Sequence, residues 1–245
     1  MKKINKLMHL NVYISKSGYC SRRKAQILIK DGKVKVDGVT VDKPFYEVNP
    51  ASNVSIDGKV IKIKSLVYIV FNKPKGVTTT CHDKFANKKI IDFFPEELKG
   101  IFPVGRLDKD TSGLIILTND GDLCYQTTHP KFQVEKEYKI ILDKVLLKKD
   151  EHEAINGLKD AGEMLKVKKI TPIKENPSQS SYRVAIHEGK KRHLRRLFNA
   201  LGYFVIDLKR IRIGNLSLNN LESGKYNFFE KEKIYHLLFP NQKLK

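Results

Sequence analysis

The chain is 245 residues long and carries 47 Lys and Arg against 27 Asp and Glu, a formal net charge of +20 at pH 7. That excess points to a polyanion, either nucleic acid or an acidic membrane surface. A hydrophobic fraction of 40% supports a real core, and no apolar run reaches the length of a membrane span. The basic opening Met1–Lys6 is followed by no apolar signal-peptide core, so the chain is expected in the cytoplasm, with RNA rather than a membrane as its partner. Cys20, Cys81 and Cys124 are widely spaced and form no disulfide framework. Cys81 and His82 are neighbours, but two adjacent residues make no metal site without further ligands, so no metal is expected.

In chain order, Ser21 is a good helix cap and Gly32 a good stop. Between them Ala25, Leu28 and Ile29 form an apolar stripe. Arg23 and Lys30 project from the opposite side, with Arg22 and Lys24 on the flanks, so the helix is packed on one face and basic on the other. Such a face is either a solvated surface or a phosphate-binding one. Val34–Val36 and Val39–Val41 alternate around Asp37-Gly38, and Val54–Ile56 and Val60-Ile61 do so around Asp57-Gly58. Both are hairpin signals. Lys62–Ser65 reads as a linker. Residues 66–71 then read as a buried strand, ending in the turn Asn72-Lys73-Pro74-Lys75-Gly76.

Residues 105–121 read Gly-Arg-Leu-Asp-Lys-Asp-Thr-Ser-Gly-Leu-Ile-Ile-Leu-Thr-Asn-Asp-Gly. A charged loop carrying Arg106 and Asp108 runs into Leu114–Leu117. That apolar stretch is too short for a typical helix and is bounded by Gly113 and Gly121, so it reads as a buried strand. An Asp on a loop held by a core strand can be aimed at a substrate; it can equally be a turn residue. Further strands are expected near 135–142, 164–170, 181–187 and 203–208, and helices over 148–158, 190–201 and 231–239. Strands and helices mix without a βαβ repeat, which argues for an α+β fold with a mixed sheet. In helix 190–201, Leu194, Leu197, Phe198 and Leu201 share one face. Arg192 and Arg196 lie opposite that face, where they can meet phosphate, and Arg195 lies on the flank. Tyr138, taken alone, is a half-buried strand residue.

The run at 105–121 closely resembles the central motif of the RsuA-type ribosomal RNA pseudouridine synthases, in which the Asp of Gly-Arg-Leu-Asp is the essential residue. Lys73-Pro-x-Gly, Lys136-x-Tyr138, Glu188-Gly-Lys-Lys-Arg-His-Leu-Arg-Arg-Leu197 and the closing Leu208-Lys-Arg-Ile-Arg-Ile-Gly214 resemble the family's other motifs. Leu10 to Gly58 resembles an S4 RNA-binding domain. The resemblance implies an S4-like αβ domain over 8–64, then a catalytic domain over 66–245 with a mixed, mainly antiparallel sheet flanked by helices. It implies isomerisation of a uridine to pseudouridine in a structured stem-loop of ribosomal RNA, by a monomer without cofactor. Asp108 would be the catalytic group, Tyr138 the residue that stacks on the flipped base, and Arg195 the partner that keeps the Asp ionised. Arg106 would help hold the RNA open. Lys73, Lys190, Arg192 and Arg196 would contact RNA, as would Arg22, Arg23, Lys24 and Lys30 of the S4-like helix. Lys191 and His193 stand where the family has Asn and Gln. The His129-Pro-x-x-x-Val134-x-Lys136 stretch leans toward large-subunit relatives. Two other readings stand beside this one. The first is a non-catalytic S4-type RNA-binding or ribosome-assembly protein, which would have no need of Asp108, Tyr138 and Arg195 together. The second is a hydrolase using Asp108 and Asp110 as a carboxylate pair, disfavoured because both lie on one short segment.

Overall fold

The computed structural model describes residues 7–173 and 180–240. The basic opening Met1–Lys6 and the last five residues of the expected 66–245 domain lie outside them. The chain forms two compact units: one runs up to Leu66 and takes in Phe94–Ile101, and the other comprises Val67–Phe93 and the described residues from Phe102 on.

In the first unit, β1 (Met8–His9) leads into α1 (Leu10–Lys16) and α2 (Arg22–Lys30). Strands β2 (Val34–Val36), β3 (Val39–Thr40), β4 (Glu47–Val48), β5 (Val54–Ile56) and β6 (Lys59–Ile61) follow. Four of them form an antiparallel sheet in the order β3-β2-β5-β6. Both expected hairpins form, and their Asp-Gly pairs adopt positive φ: 50° and 86° at Asp37-Gly38, 47° and 78° at Asp57-Gly58. The twist of such turns matches that of the strands they join. Ser21 caps α2 by accepting the Lys24 N–H. Ala25 and Ile29 face a core shared with Leu10, Tyr13, Ile14, Val34 and Ile56. Sequence reasoning left α1 unassigned, although Leu10, Tyr13 and Ile14 had helical spacing.

The second unit opens with β7 (Tyr68–Lys73), β8 (Phe102–Pro103) and β9 (Ser112–Thr118), then α3 (Gly121–Thr128) and β10 (Lys136–Leu142). Next come α4 (Lys148–Asn156), β11 (Leu158–Asp160), β12 (Glu163–Leu165), β13 (Lys169–Pro172) and β14 (Ser180–Ile186). The unit closes with α5 (His193–Ala200), β15 (Val205–Ile213), β16 (Leu216–Ser217), β17 (Tyr226–Phe228) and α6 (Lys231–Leu238). The main sheet runs β13-β14-β10-β15-β9-β7-β17, with β8 and β16 pairing at its side. Only β15 and β9 pair in parallel among its described ladders, so the mixed, mainly antiparallel sheet expected from the sequence is present.

Every residue of β7, and all of β9 after Ser112, is buried. Tyr68, Val70, Leu114 and Ile116 pack with Leu123 of α3 and with Ile234, Tyr235 and Leu238 of α6 on one face of the sheet. Asp120 joins these elements. Its Oδ1 accepts the Asp122 and Leu123 N–H groups, capping α3. Its Oδ2 accepts the Tyr68 and Tyr235 hydroxyls at 2.8 and 2.9 Å.

Three elements differ from expectation. The strand expected near 164–170 is two strands, because β12 pairs back onto β11 through the turn Ala161-Gly162, at φ 47° and 80°, while β13 joins β14 in the main sheet. Nothing in the sequence marks Ala161 for positive φ. The strand expected at 203–208 runs on to Ile213. The helix expected from 190 starts at His193, because Arg192 takes the left-handed conformation, φ 51°. Arg192 therefore precedes the helix and does not lie on its outer face.

Candidate active site

Four strands set one row of residues across the sheet. Lys73 of β7 faces Gly113 of β9, Gly113 faces Arg210 of β15, and Arg210 faces Tyr138 of β10. Directly paired residues point to the same side of a sheet, so Lys73, Arg210 and Tyr138 share a face. Gly113 lets β15 come close: a Cβ there would lie 2.2 Å from the Arg210 carbonyl oxygen.

The Asp108 loop crosses this face and is held at several points. Thr79 Oγ1 donates to the Leu107 carbonyl at 2.7 Å. Gly76 N–H donates to the Lys109 carbonyl at 2.7 Å. Thr111 N–H closes the turn onto the Asp108 carbonyl. The Lys73-Pro-Lys-Gly turn is thus a support for the loop. Asp108 opens into a cleft of about 460 Å³ whose walls include Tyr138, Ile186, Leu194, Leu208 and His193, with Arg106, Lys190, Lys191 and Arg192 also lining it. That volume suits a small-molecule-sized group. The Asp108 carboxylate has no hydrogen-bond or ion-pair partner among the described residues.

The structure brings Asp108, Tyr138, Arg106, Lys190 and Arg192 to one cleft. Arg195 lies beside the same turn but not as expected. Its Nε is 3.1 Å from Asp110 Oδ2, close enough to pair although the N–H is not aimed for a hydrogen bond. Its Nη2 and Nη1 donate to the Asp110 and Val205 carbonyls. The expected Arg195–Asp108 pair is therefore replaced by Arg195–Asp110.

Arg192 Nη1 lies 3.3 Å from both Asp110 oxygens, and three more of the residues expected to meet RNA phosphate are committed elsewhere. Lys73 is fully buried, and its ammonium donates to the Pro74 and Val77 carbonyls at 2.9 and 2.8 Å, so it tightens its own turn. Burial pushes its pKa down to about 8, against the pull of Asp110 and Asp108. Arg196 is ion-paired with Asp160 and Glu163. Lys190 donates to the Met164 carbonyl and lies 3.4 Å from Glu188. Arg106, Arg22, Arg23, Lys24 and Lys30 are exposed and make no side-chain ion pair among the described residues.

Several groups around this site carry no role from their motifs alone. Arg210 is buried, donates through Nε to the Leu114 carbonyl and has no hydrogen-bond partner at Nη2 among the described residues. Burial, then repulsion by Arg210, lowers Lys136 to about 8. His193, where the family pattern has Gln, is buried, with Nε2 3.0 Å from the Lys166 carbonyl. A carbonyl only accepts, so Nε2 carries the proton. Burial lowers the His193 pKa. No group of three His, Cys, Asp or Glu side chains among the described residues could hold a metal ion.

Comparisons of the whole chain with known proteins point to one family. A family profile described as RNA pseudouridylate synthase matches residues 67–200, and one described as S4 domain matches 8–54. The ribosomal large subunit pseudouridine synthase B of Bacillus subtilis (strain 168) is 38% identical, over 88% of this chain and 89% of its own length. An RNA pseudouridine synthase of Aquifex aeolicus (strain VF5) is 37% identical, over 94% and 96%. Among solved structures, a pseudouridylate synthase crystal structure superposes with a TM-score of 0.67 at 28% identity, covering 94% of this chain and 99% of that one.

Proposed function

The chain belongs to the RNA pseudouridylate synthase family, and on that premise we propose that it isomerises one uridine of large-subunit ribosomal RNA to pseudouridine, with Asp108 as the catalytic carboxylate. The carrying observation is that carboxylate, held by a braced loop, without a hydrogen-bond or ion-pair partner among the described residues, in a cleft walled by Tyr138 and aliphatic side chains. The reaction breaks the bond from uracil N1 to ribose C1′ and joins C5 to C1′. The hydrogen on C5 is lost and N1 gains one, so the net change is an isomerisation that needs no imported group or oxidant. Asp108 could begin it by attack on C1′, by attack on the base, or by taking a proton from the sugar. All three need a free, ionised oxygen.

The target base reacts only once unstacked, so it enters the cleft flipped. Tyr138 then stacks on the uracil, and Leu208 and Ile186 close the apolar wall. Arg106, exposed at the cleft, holds the surrounding RNA, with Lys191 and Arg192. The 8–64 module docks the stem-loop through Arg22, Arg23, Lys24 and Lys30, and the 66–245 domain performs the chemistry as a monomer. No described helix is long and apolar enough to cross a membrane. A ribosomal RNA substrate supports the reading that the enzyme works in the cytoplasm. The large-subunit assignment rests on similarity to the Bacillus subtilis enzyme. Its test is pseudouridine mapping of ribosomal RNA from a strain lacking this gene. Loss of one large-subunit pseudouridine is expected; loss of a small-subunit site, or of none, refutes the assignment.

A further inference from the structure

A buried cation stands beside the cleft without a counter-ion. Arg210 is 4% exposed. Its Nε donates to the Leu114 carbonyl at 2.7 Å, and its Nη2 has no hydrogen-bond partner among the described residues. Nor does it form an ion pair among them. Strand register sets Arg210 directly opposite Tyr138, and it follows Leu208 by two residues on β15, on the same face of the sheet. Tyr138 and Leu208 both line the Asp108 cleft. Directly opposed residues carry their Cβ atoms about 5 Å apart, so the guanidinium is rooted next to the ring on which the uracil stacks. Two more cations stand near it. Lys73 and Lys136 donate to backbone carbonyls and have no ion pair among the described residues. Burial lowers the pKa of each, and repulsion by Arg210 adds to the effect.

A buried cation without an anion is costly, and a guanidinium cannot escape the cost by losing its proton. The reaction supplies the anion. Whichever way Asp108 begins it, negative charge passes to the pyrimidine. Attack on C1′, or removal of a sugar proton, leaves the N1–C1′ bonding pair on the uracil. Attack on C6 of the base pushes the C5–C6 π pair toward O4. Resting on the reading of Asp108 and Tyr138 above, we propose that Arg210 is the fixed positive charge that stabilises the uracil as it becomes anionic. It acts through space, from a position closed to water, where a charge is worth more than in solution. Uridine is neutral before it reacts, so the interaction grows only toward the transition state. Its loss therefore appears in the rate and not in the affinity.

The test compares Arg210→Gln, Arg210→Met and Arg210→Lys with the parent in single-turnover reactions at saturating RNA, with uridine or 5-fluorouridine at the target position. RNA affinity is measured alongside. Fluorine withdraws electrons from the ring and stabilises its anion, so the fluorinated base depends less on the protein's charge. Consumption of the N-linked nucleoside is followed for both substrates on one preparation. A smaller folded fraction then lowers the amplitude and leaves the rate constants intact. Arg210→Gln and Arg210→Met are expected to slow uridine by about tenfold or more, and 5-fluorouridine by at least about threefold less, with affinity within about twofold of the parent. Arg210→Lys keeps the charge and should stay closer to the parent than either. Equal losses on the two substrates would show that Arg210 merely shapes the cleft and would overturn the proposal. So would parental rates in the neutral variants, an Arg210→Lys as slow as Arg210→Gln, or a loss confined to affinity. Asp108→Asn is run beside them. If it consumes uridine at the parental rate, the catalytic assignment itself fails; if it is inactive while the Arg210 variants slow both substrates equally, only the role of Arg210 fails.

Discussion

Asp120→Ala should be among the most destabilising single changes outside the cleft. The substitution removes the cap of α3, worth about 1 kcal/mol, from a carboxylate that accepts the Asp122 and Leu123 N–H groups. It also strands the Tyr68 and Tyr235 hydroxyls, which bond Oδ2 at 2.8 and 2.9 Å inside the core. A buried hydroxyl left unpaired costs about 1–3 kcal/mol. With some relaxation the total is about 3–5 kcal/mol, or roughly 10–15 °C of melting temperature for a unit of this size. Asp120→Asn keeps an oxygen for the cap, and its amide can donate to either hydroxyl, so about 1–2 kcal/mol is expected. The chain contains no Trp, so urea unfolding followed by far-ultraviolet circular dichroism is the suitable assay. The single-turnover rate of the folded variant should match the parent, because Asp120 touches neither the cleft nor the Asp108 loop. A loss under about 1 kcal/mol in Asp120→Ala, or an Asn variant weaker than the Ala one, would refute the reasoning.

Gly113→Ala should fail to fold or lose more than about 4 kcal/mol, because φ is +105° and the new Cβ would lie 2.2 Å from the Arg210 carbonyl; Gly58→Ala, at φ +78° with open space around it, should cost only about 1–2 kcal/mol, and equal melting temperatures for the two would contradict this. Stability should rise with pH between about 8 and 10, because folded Lys73 and Lys136 release their protons near 8 while the unfolded chain keeps them to about 10.5. Above about pH 10 it should fall, because burial and Asp120 hold the Tyr68 and Tyr235 hydroxyls protonated in the fold while the unfolded state ionises them. Urea midpoints across that range check both limbs, Lys73→Met should flatten the rise, and a steady fall from neutral pH would contradict it. Reversing Arg23 and Lys30 to Glu should weaken RNA binding and reduce its salt slope by about two units, leaving the saturating rate unchanged; an unaltered affinity would remove the first module from substrate docking.

What the sequence made legible was local. Periodicity and turn chemistry located α2, both hairpins, β9, β10, β14 and α6, because each is specified by its own residues: Ser21 as cap, Asp-Gly as turn, Leu114–Leu117 as an apolar run. The motifs brought Asp108 and Tyr138 to the site for the same reason. What the sequence hid depends on the third dimension. Lys73 looked like a surface cation because lysine usually is one, yet its strand is buried on both faces and backbone carbonyls receive its ammonium. Arg196 looked free because Asp160 and Glu163, its partners, lie 36 and 33 positions away. Arg210 was read as one letter of a closing motif, and only strand register places it between Gly113 and Tyr138. Arg195 was matched to the wrong carboxylate of a pair two residues apart, a choice that only side-chain geometry makes.

The most direct test of Asp108 uses large-subunit ribosomal RNA labelled with tritium at C5 of uridine, since joining C5 to the ribose releases that hydrogen. The purified parent should release tritium equivalent to one uridine per RNA. Asp108→Asn, which keeps the side chain's size and loses its charge, should bind the RNA as tightly and release none above background. Release by Asp108→Asn at a rate within about tenfold of the parent, roughly 1.4 kcal/mol, would mean that another group carries out the reaction.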